Sequence, residues 1–222
     1  MSQPPQVHAA RVLKNVLLGR SLVKAMPPAE QSCRKEDLPF LRQLVYGTLR
    51  DSPKLLATLD HLIEKPLKSK DLDLKSLILI GLYQLEHSTR PDYAVVSSTV
   101  EYSSHIGKSW AKALINGVLR RFQREKDMIH EMLTPEQLAS HPYWMFRRLL
   151  AEYRDEINEI ISANNNPPPL TLRVNTRRTS REKYLSMLQS LKFSSRPGKL
   201  AETAVYLDDA VHVTNLPGFK EG

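Results

Sequence analysis

Between Asp73 and Glu86 the chain carries Leu77-Ile78-Leu79-Ile80-Gly81-Leu82-Tyr83, a run with almost no polar face. A helix that is apolar nearly all round has to be enclosed, so the surrounding sequence must supply several more helices to cover it. The run is far short of the roughly 20 residues that cross a bilayer, and Lys75 and Glu86 bracket it. It therefore reads as the central helix of a bundle and not as a membrane span.

The flanking sequence supplies those helices. From Gln6 to about Met132 apolar residues recur at helical spacing, with turn residues between the segments. A first helix sets Val7, Ala10, Leu13, Val16 and Leu17 on one side and is expected to run until Pro27-Pro28. Asp37 is expected to cap a second helix carrying Phe40, Leu41, Leu44, Val45 and Leu49. Ser52-Pro53 provides an N-cap and first-turn proline for a third, Leu55 to Ile63, which Pro66 stops. Pro91-Asp92 opens a fifth through Val95, Val96 and Val100, ending near Gly107. A sixth is expected from Lys108 to Arg124, with Trp110, Ala113, Leu114, Val118 and Phe122 inward.

The character of the chain changes after Thr134-Pro135-Glu136-Gln137, which has the pattern of a capping box. An all-helical domain over 1–135 and a second domain over 141–222 are expected. In the second, Pro142 to Tyr153 and Ile157 to Ala163 read as helices, and Asn164-Asn165-Asn166-Pro167-Pro168-Pro169 as a stiff break. Leu170 to Asn175 alternates as a strand, Ser180 can cap a helix through Tyr184, Leu185, Leu188 and Leu191, and Ala204–Leu207 and Val211–Val213 read as two more strands. The fold class expected is mainly α: a helical bundle followed by a small α+β domain of order β-α-β-β.

What chemistry this can support is bounded by what it lacks. The eight glycines are not spaced to cradle a phosphate or a dinucleotide after a strand. His8, His61, His87, His105, His130, His141 and His212 are scattered without the pairing or cysteine partners of a metal site. Asp208-Asp209 would point to opposite faces of a strand, so an acidic turn is the plainer reading. Cys33 lies in the polar stretch Gln31-Ser32-Cys33-Arg34-Lys35 and reads as an incidental loop thiol. No catalytic, metal or cofactor-binding residue is assigned. No secretory leader is recognisable at Met1-Ser2-Gln3-Pro4-Pro5, so a cytoplasmic location with no membrane partner is expected.

Charge points to an anionic partner. The net charge of +8 and pI of about 9.6 favour nucleic acid. The excess is shared, with 20 basic and 15 acidic residues up to Ser140 and 12 and 9 from His141 onward. Two clusters stand out. Lys108, Lys112, Arg120, Arg121 and Arg124 gather along the edge of the sixth helix, with Glu125 as a nearby counter-charge. Arg173, Arg177 and Arg178, with Arg181 and Lys183, sit at a strand-to-helix junction, where free backbone N–H groups and guanidinium groups together suit phosphate. Basic residues late in a helix also complement its dipole, which explains one or two of the first cluster and not all. The strand lacks the aromatics that stack bases in RNA-reading sheets, so the second domain is expected to hold backbone or shape.

Four segments, in order, carry a family resemblance: Leu44-Val45-Tyr46-Gly47-Thr48-Leu49-Arg50, Gly81-Leu82-Tyr83-Gln84-Leu85, Asn116-Gly117-Val118-Leu119-Arg120-Arg121-Phe122, and Ala163 through Asn175. Together they resemble the N-terminal region of the bacterial ribosomal RNA cytosine-C5 methyltransferases of the RsmB (Sun, Fmu) family, over almost the whole chain. The resemblance implies a NusB-like helical RNA-binding domain and a ferredoxin-like domain that precedes a Rossmann-like catalytic core using S-adenosylmethionine. It implies 16S ribosomal RNA as partner, with a protein partner for the helical domain a further expectation. In that family a cysteine thiolate attacks C6 of cytosine, a second cysteine assists release and a carboxylate aids. No residue here matches those positions, and Cys33 is not promoted to nucleophile. The chain is thus expected to be the RNA-docking portion of such an enzyme, silent alone, with the catalytic core beyond Gly222. The alternatives are a standalone NusB-like antitermination adaptor, against which the β-α-β-β segment argues, and an aggregation-prone remnant with uncovered apolar strands.

Overall fold

The computed structural model describes residues 3–166, 168–209 and 211–220. Contacts divide the chain into two compact units, one running to Ile157 and the other beginning at Asn158.

The first unit is helical: α1 (Pro5–Leu17), α2 (Leu22–Ser32), α3 (Leu38–Arg50), α4 (Ser52–Leu62), α5 (Leu72–His87), α6 (Asp92–Tyr102), α7 (Lys112–Met132), α8 (Pro135–Leu138) and α9 (Tyr143–Glu152). The all-round apolar segment is α5, and it packs against α1, α3, α4, α6 and α7. Its Leu74, Leu77, Ile78, Leu79, Ile80 and Leu82 are fully enclosed, each worth roughly 1.5–3 kcal/mol by removal from water. The close approach of α3 to α5 requires Gly47, because a Cβ there would collide with the Tyr83 ring.

Three local expectations are corrected. The first helix does not run to Pro27-Pro28. It ends at Leu17, with Gly19 two residues on at a φ of 87°, and both prolines lie inside α2. They are tolerated because they face solvent while Ala25, Met26 and Ala29 face the core, so the carbonyls left without an N–H donor can be hydrated. Asp37 occupies the N-cap position of α3 without capping it; its carboxylate accepts from Arg34 Nε at 3.0 Å instead. Cys33 is not a loop thiol but part of the packed core at the end of α2. Burial raises its pKa first of all, and Asp37 adds to this, so it is less nucleophilic than a free cysteine.

The phase of α7 also differs. Ser109–Ala111 form a 3-10 turn and the α-helix proper begins at Lys112. The inward face is therefore Ile115, Val118, Leu119, Phe122 and Ile129, whereas Trp110 and Ala113 are exposed and Leu114 is half-buried. The helix runs past Arg124 to Met132 because Ile129 continues the same buried face. Ser52 lies within α4, with Asp51 at the N-cap position and no side-chain cap, and Pro53 in the first turn. The capping box is present at α8, where the Thr134 N–H donates to Gln137 Oε1 at 2.9 Å.

Charged groups tie the bundle across its helices. The Glu86 carboxylate of α5 takes Lys54 Nζ of α4 at 2.6 Å, Lys126 Nζ of α7 at 3.6 Å and His130 Nε2 at 3.6 Å. Lys14 of α1 meets Asp73 of α5 at 3.4 Å. The Asp51 carboxylate pairs with His87 and accepts from Ser140 Oγ at 3.0 Å, joining the start of α4, the end of α5 and the turn after α8.

In the second unit α10 (Ile157–Asn165), which begins at the division, is followed by β1 (Leu170–Arg173), α11 (Arg181–Ser190), β2 (Ser195–Pro197) and β3 (Ala204–Leu207). The sheet order is β1-β3-β2, both pairings antiparallel, with Leu170 opposite Leu207 and Leu172 opposite Val205. Val174, Leu188, Val205, Leu207 and Leu216 form its buried core. Ser180 caps α11 as expected, its Oγ accepting from the Lys183 N–H at 3.2 Å. Val211–Val213 is not a strand: a 3-10 turn over Val213–Asn215 precedes Leu216, which is buried. The strand that takes its place is polar Ser195–Pro197, whose proline is accommodated because β2 is an edge. The mainly α fold with a β-α-β-β segment stands, with one strand reassigned. Pro167, in the expected break, lies outside the described residues.

Candidate nucleic-acid interface

The helical unit presents a groove beside the first half of α7. One stretch, about 590 Å³, is lined by Leu62, Ile63, Lys65, Gly117, Val118, Arg121 and Arg124 among others. The next, about 430 Å³, is lined by Pro66, Lys68, Lys70, Asp71, Lys108 and Trp110 among others. Leu67 and Leu114 belong to both, so the two stretches are continuous.

The cations expected here divide into two kinds. Lys108 is fixed by Asp71, Nζ to Oδ1 at 2.6 Å, with Asp73 at 3.9 Å. The hydrogen bond to Asp71 raises the Lys108 pKa, and the same bond lowers that of Asp71. Arg121 donates through Nε to Glu125 at 2.7 Å and through Nη1 to the Leu62 carbonyl at 3.3 Å. These two hold the bundle together and are not open to a ligand without losing those bonds. Lys112, Arg120 and Arg124 are exposed and form no ion pair among the described residues. Sequence reasoning missed Lys65, Lys68 and Lys70, which are exposed in the loop between α4 and α5. Three lysines within Lys65-Pro66-Leu67-Lys68-Ser69-Lys70 were a legible signal.

In the second unit Arg173 ends β1, and Arg177 and Arg178 lie in the turn before α11. All three are exposed and without an ion pair among the described residues. The backbone shapes that turn: the Arg177 N–H donates to Asn175 Oδ1 at 3.2 Å and the Arg178 N–H to the Asn175 carbonyl at 3.0 Å. Arg173 and Arg178 line a pocket of about 500 Å³ with Leu172, Tyr184, Met187 and Phe219 on its apolar side. The α11 N-terminus is not open to an added anion as the sequence suggested. Ser180 already caps it, and the Glu182 carboxyl in its first turn is held below the usual range by its own backbone N–H and by the Ser180 hydroxyl. Arg181 is turned to Glu182 at 3.4 Å. Phosphate recognition in this unit would therefore rest on the three arginines and not on the helix end.

Asp208 is not one of a converging pair of carboxylates. It accepts from Ser194 Oγ at 2.6 Å and Arg196 Nε at 3.1 Å, and so pins β2 to β3. Among the described residues no group of three His, Cys, Asp or Glu is placed to hold a metal ion, and no helix is long and apolar enough to cross a membrane.

A helical bundle with a basic groove, followed by a small antiparallel sheet with exposed arginines, has matches among known proteins. The NusB family model matches residues 3–124, more than half of the chain. The chain belongs to the NusB family. Residues 141–214 match a second model, the ferredoxin-like domain of RsmF/B-like methyltransferases. The four segments that carry the resemblance in sequence fall within these two matches.

Relatives of this NusB-family chain are named ribosomal RNA small subunit methyltransferase B. That of Vibrio vulnificus is 38% identical over 217 residues, covering 96% of this chain and 51% of the relative. That of Citrobacter koseri is 36% identical over 216 residues, covering 96% and 50%. A protein of Coxiella burnetii, named as a probable member, is 39% identical over 193 residues, covering 86% and 45%. The chain spans about half the length of the curated relatives it matches. The crystal structure of PH0851 shares the fold with a TM-score of 0.62 at 15% identity, over 100% of this chain and 52% of that one.

Proposed function

We propose that these residues bind small-subunit ribosomal RNA and present it for S-adenosylmethionine-dependent methylation at C5 of a cytosine, in the cytoplasm. The methyl-transfer chemistry belongs to the part of the relatives' length that this chain does not span. The observation that carries the RNA assignment is the set of exposed, unpaired cations in each unit, Lys112, Arg120 and Arg124 in one and Arg173, Arg177 and Arg178 in the other. Among the described residues these six form no ion pair, while neighbouring cations such as Lys108, Arg121 and Arg181 are committed to ion pairs. A protein that neutralises phosphates releases counterions, so its binding is strong at low salt and falls steeply as salt rises.

The sequence relationship supports the choice of ribosomal RNA over other anions, since the relatives are named for it over 96% of this chain. The sheet carries no aromatic platform facing solvent in β1, whose exposed positions are Thr171 and Arg173, which fits backbone holding in that unit. The test is retention of small-subunit ribosomal RNA fragments by the purified 222-residue chain in a salt series. Binding that is tight at low salt and lost at high salt supports the reading, and no retention even at the lowest salt ends it.

A further inference from the structure

Trp110 is 63% exposed at the mouth of the groove, in the 3-10 turn just ahead of α7. A large aromatic left in water beside a cavity, in a helix-entry turn where the neighbouring Ala111 is fully buried, is not required by packing. Lys68 and Lys70 line the same stretch, exposed and without an ion pair among the described residues, and Lys65 and Arg124 line the next. Among the described residues Glu64 is the one exposed lining carboxylate, because Asp71 is buried and paired with Lys108. The groove is thus an apolar floor of Leu67, Leu114 and Val118 with a positive rim and one aromatic face.

Gly117 adds an independent observation. It lies in the second turn of α7 and lines the groove, and a Cβ there would meet nothing within 4 Å. Glycine inside a helix costs roughly 1 kcal/mol relative to alanine. Unlike Gly47, it is not called for by any contact within the chain. The clearance it leaves lies along the groove, over a helix that rises about 18 Å between Lys112 and Arg124.

The geometry points to a binding site for single-stranded RNA in this groove, with a base stacked on the Trp110 indole and the sugar–phosphate backbone passing over Gly117 between Lys68, Lys70 and Arg124. An aromatic face beside a cationic track is the arrangement that holds unpaired nucleotides with little regard to sequence, whereas a duplex hides its base faces. This rests on the reading of the chain as RNA-binding and assigns to the helical unit the unpaired part of the target.

The test uses the whole 222-residue chain and two probes of equal length, an unstructured single-stranded RNA and an RNA duplex, each fluorescein-labelled. The single strand is expected to bind more tightly than the duplex. Trp110→Ala should weaken it by about tenfold, in line with loss of one stacked base, and Gly117→Glu by a comparable factor. Gly117→Ala serves as the folding control, since it should raise the melting temperature of the helical unit. In a Trp144→Phe chain, where Trp110 is the remaining tryptophan, the single strand should quench its fluorescence. Wild-type affinity in both Trp110→Ala and Gly117→Glu, or bound RNA with unquenched Trp110, overturns the groove assignment and leaves the RNA reading intact. A wild-type chain that binds neither probe overturns that reading itself.

Discussion

The helical unit and the α+β unit differ in how far charge is used to join their elements. In the helical unit long side chains are recruited to hold helices together: Glu86 gathers Lys54 and Lys126, Lys14 meets Asp73, and Lys108 meets Asp71. In the α+β unit the core cluster is five buried residues, yet Arg173, Arg177 and Arg178 make no ion pair among the described residues. The smaller unit, which has more need of stabilisation, pairs Arg181 and Arg196 but leaves these three arginines in solvent, without an ion pair among the described residues. That difference teaches where function should be sought. A positive charge without an internal partner, in a unit that could use one, is better evidence for an anionic ligand than net charge alone.

The contrast in core size gives the largest expected effect. Leu207→Ala truncates one of the five residues of the α+β unit's core cluster, a loss of about 3 kcal/mol or more from a unit with marginal stability. Hydrogen exchange should then show the β1–β3 amides unprotected while α5 stays protected. Leu79→Ala in the helical unit, the same chemical change at a 1%-exposed site, should leave all helices folded at moderate temperature. Global unfolding by both variants alike would break the comparison.

Next in size is Glu86→Ala. The Glu86 side chain is 8% exposed and that of Lys54 16%, so removing the carboxylate strands a partly buried ammonium group, costing about 3 kcal/mol. Asp208→Ala cuts the exposed Ser194 and Arg196 network and should be much milder. Denaturant midpoints of the two variants decide whether charge is structural in one unit and peripheral in the other.

A smaller effect is expected with pH. Burial lowers the pKa of both His8 and His130 below 6.5; Arg11 lowers the first further and Glu86 partly offsets the second. Between the folded and unfolded pKa values the unfolded chain binds more protons, so stability rises with pH through that window. The helical unit should be at full stability above about pH 6.5 and weaken as pH falls through the lowered values. A further loss is expected in acid, where Asp51 becomes protonated. Burial opposes its charge, but His87 and Ser140 more than compensate and hold its carboxyl below the usual range. Helical melts that do not change between neutral and mildly acidic pH would count against the burial of these histidines.

The fold was legible where pattern and burial coincide. The all-round apolar segment required a hub helix, and α5 is one; Ser180 and the Thr134 capping box were readable as local chemistry. Prolines misled at α2, because a proline ends a helix only where its lost hydrogen bond cannot be replaced by water. Ser195–Pro197 was invisible as a strand because it has neither apolar alternation nor length, and it pairs only through its neighbour β3. At the basic sites, sequence grouped Lys108 and Arg121 with Arg120 and Arg124. The Arg121–Glu125 pair is an i,i+4 contact that the sequence did offer, whereas the Lys108–Asp71 pair joins residues far apart in the chain and was not legible. Apolar spacing counted from Lys108 points Trp110 inward, and the 3-10 turn at Ser109–Ala111 re-phases it.

The measurement that bears most directly on the account is the salt dependence of small-subunit ribosomal RNA binding by the whole chain and by its Arg173→Gln, Arg177→Gln, Arg178→Gln triple variant. If these arginines neutralise phosphates, the log–log slope of affinity against salt should become shallower by about two, since each contact contributes roughly 0.7 to 0.9. A triple variant with the wild-type slope and wild-type affinity would contradict the claim that unpaired charge in the smaller unit marks an RNA site.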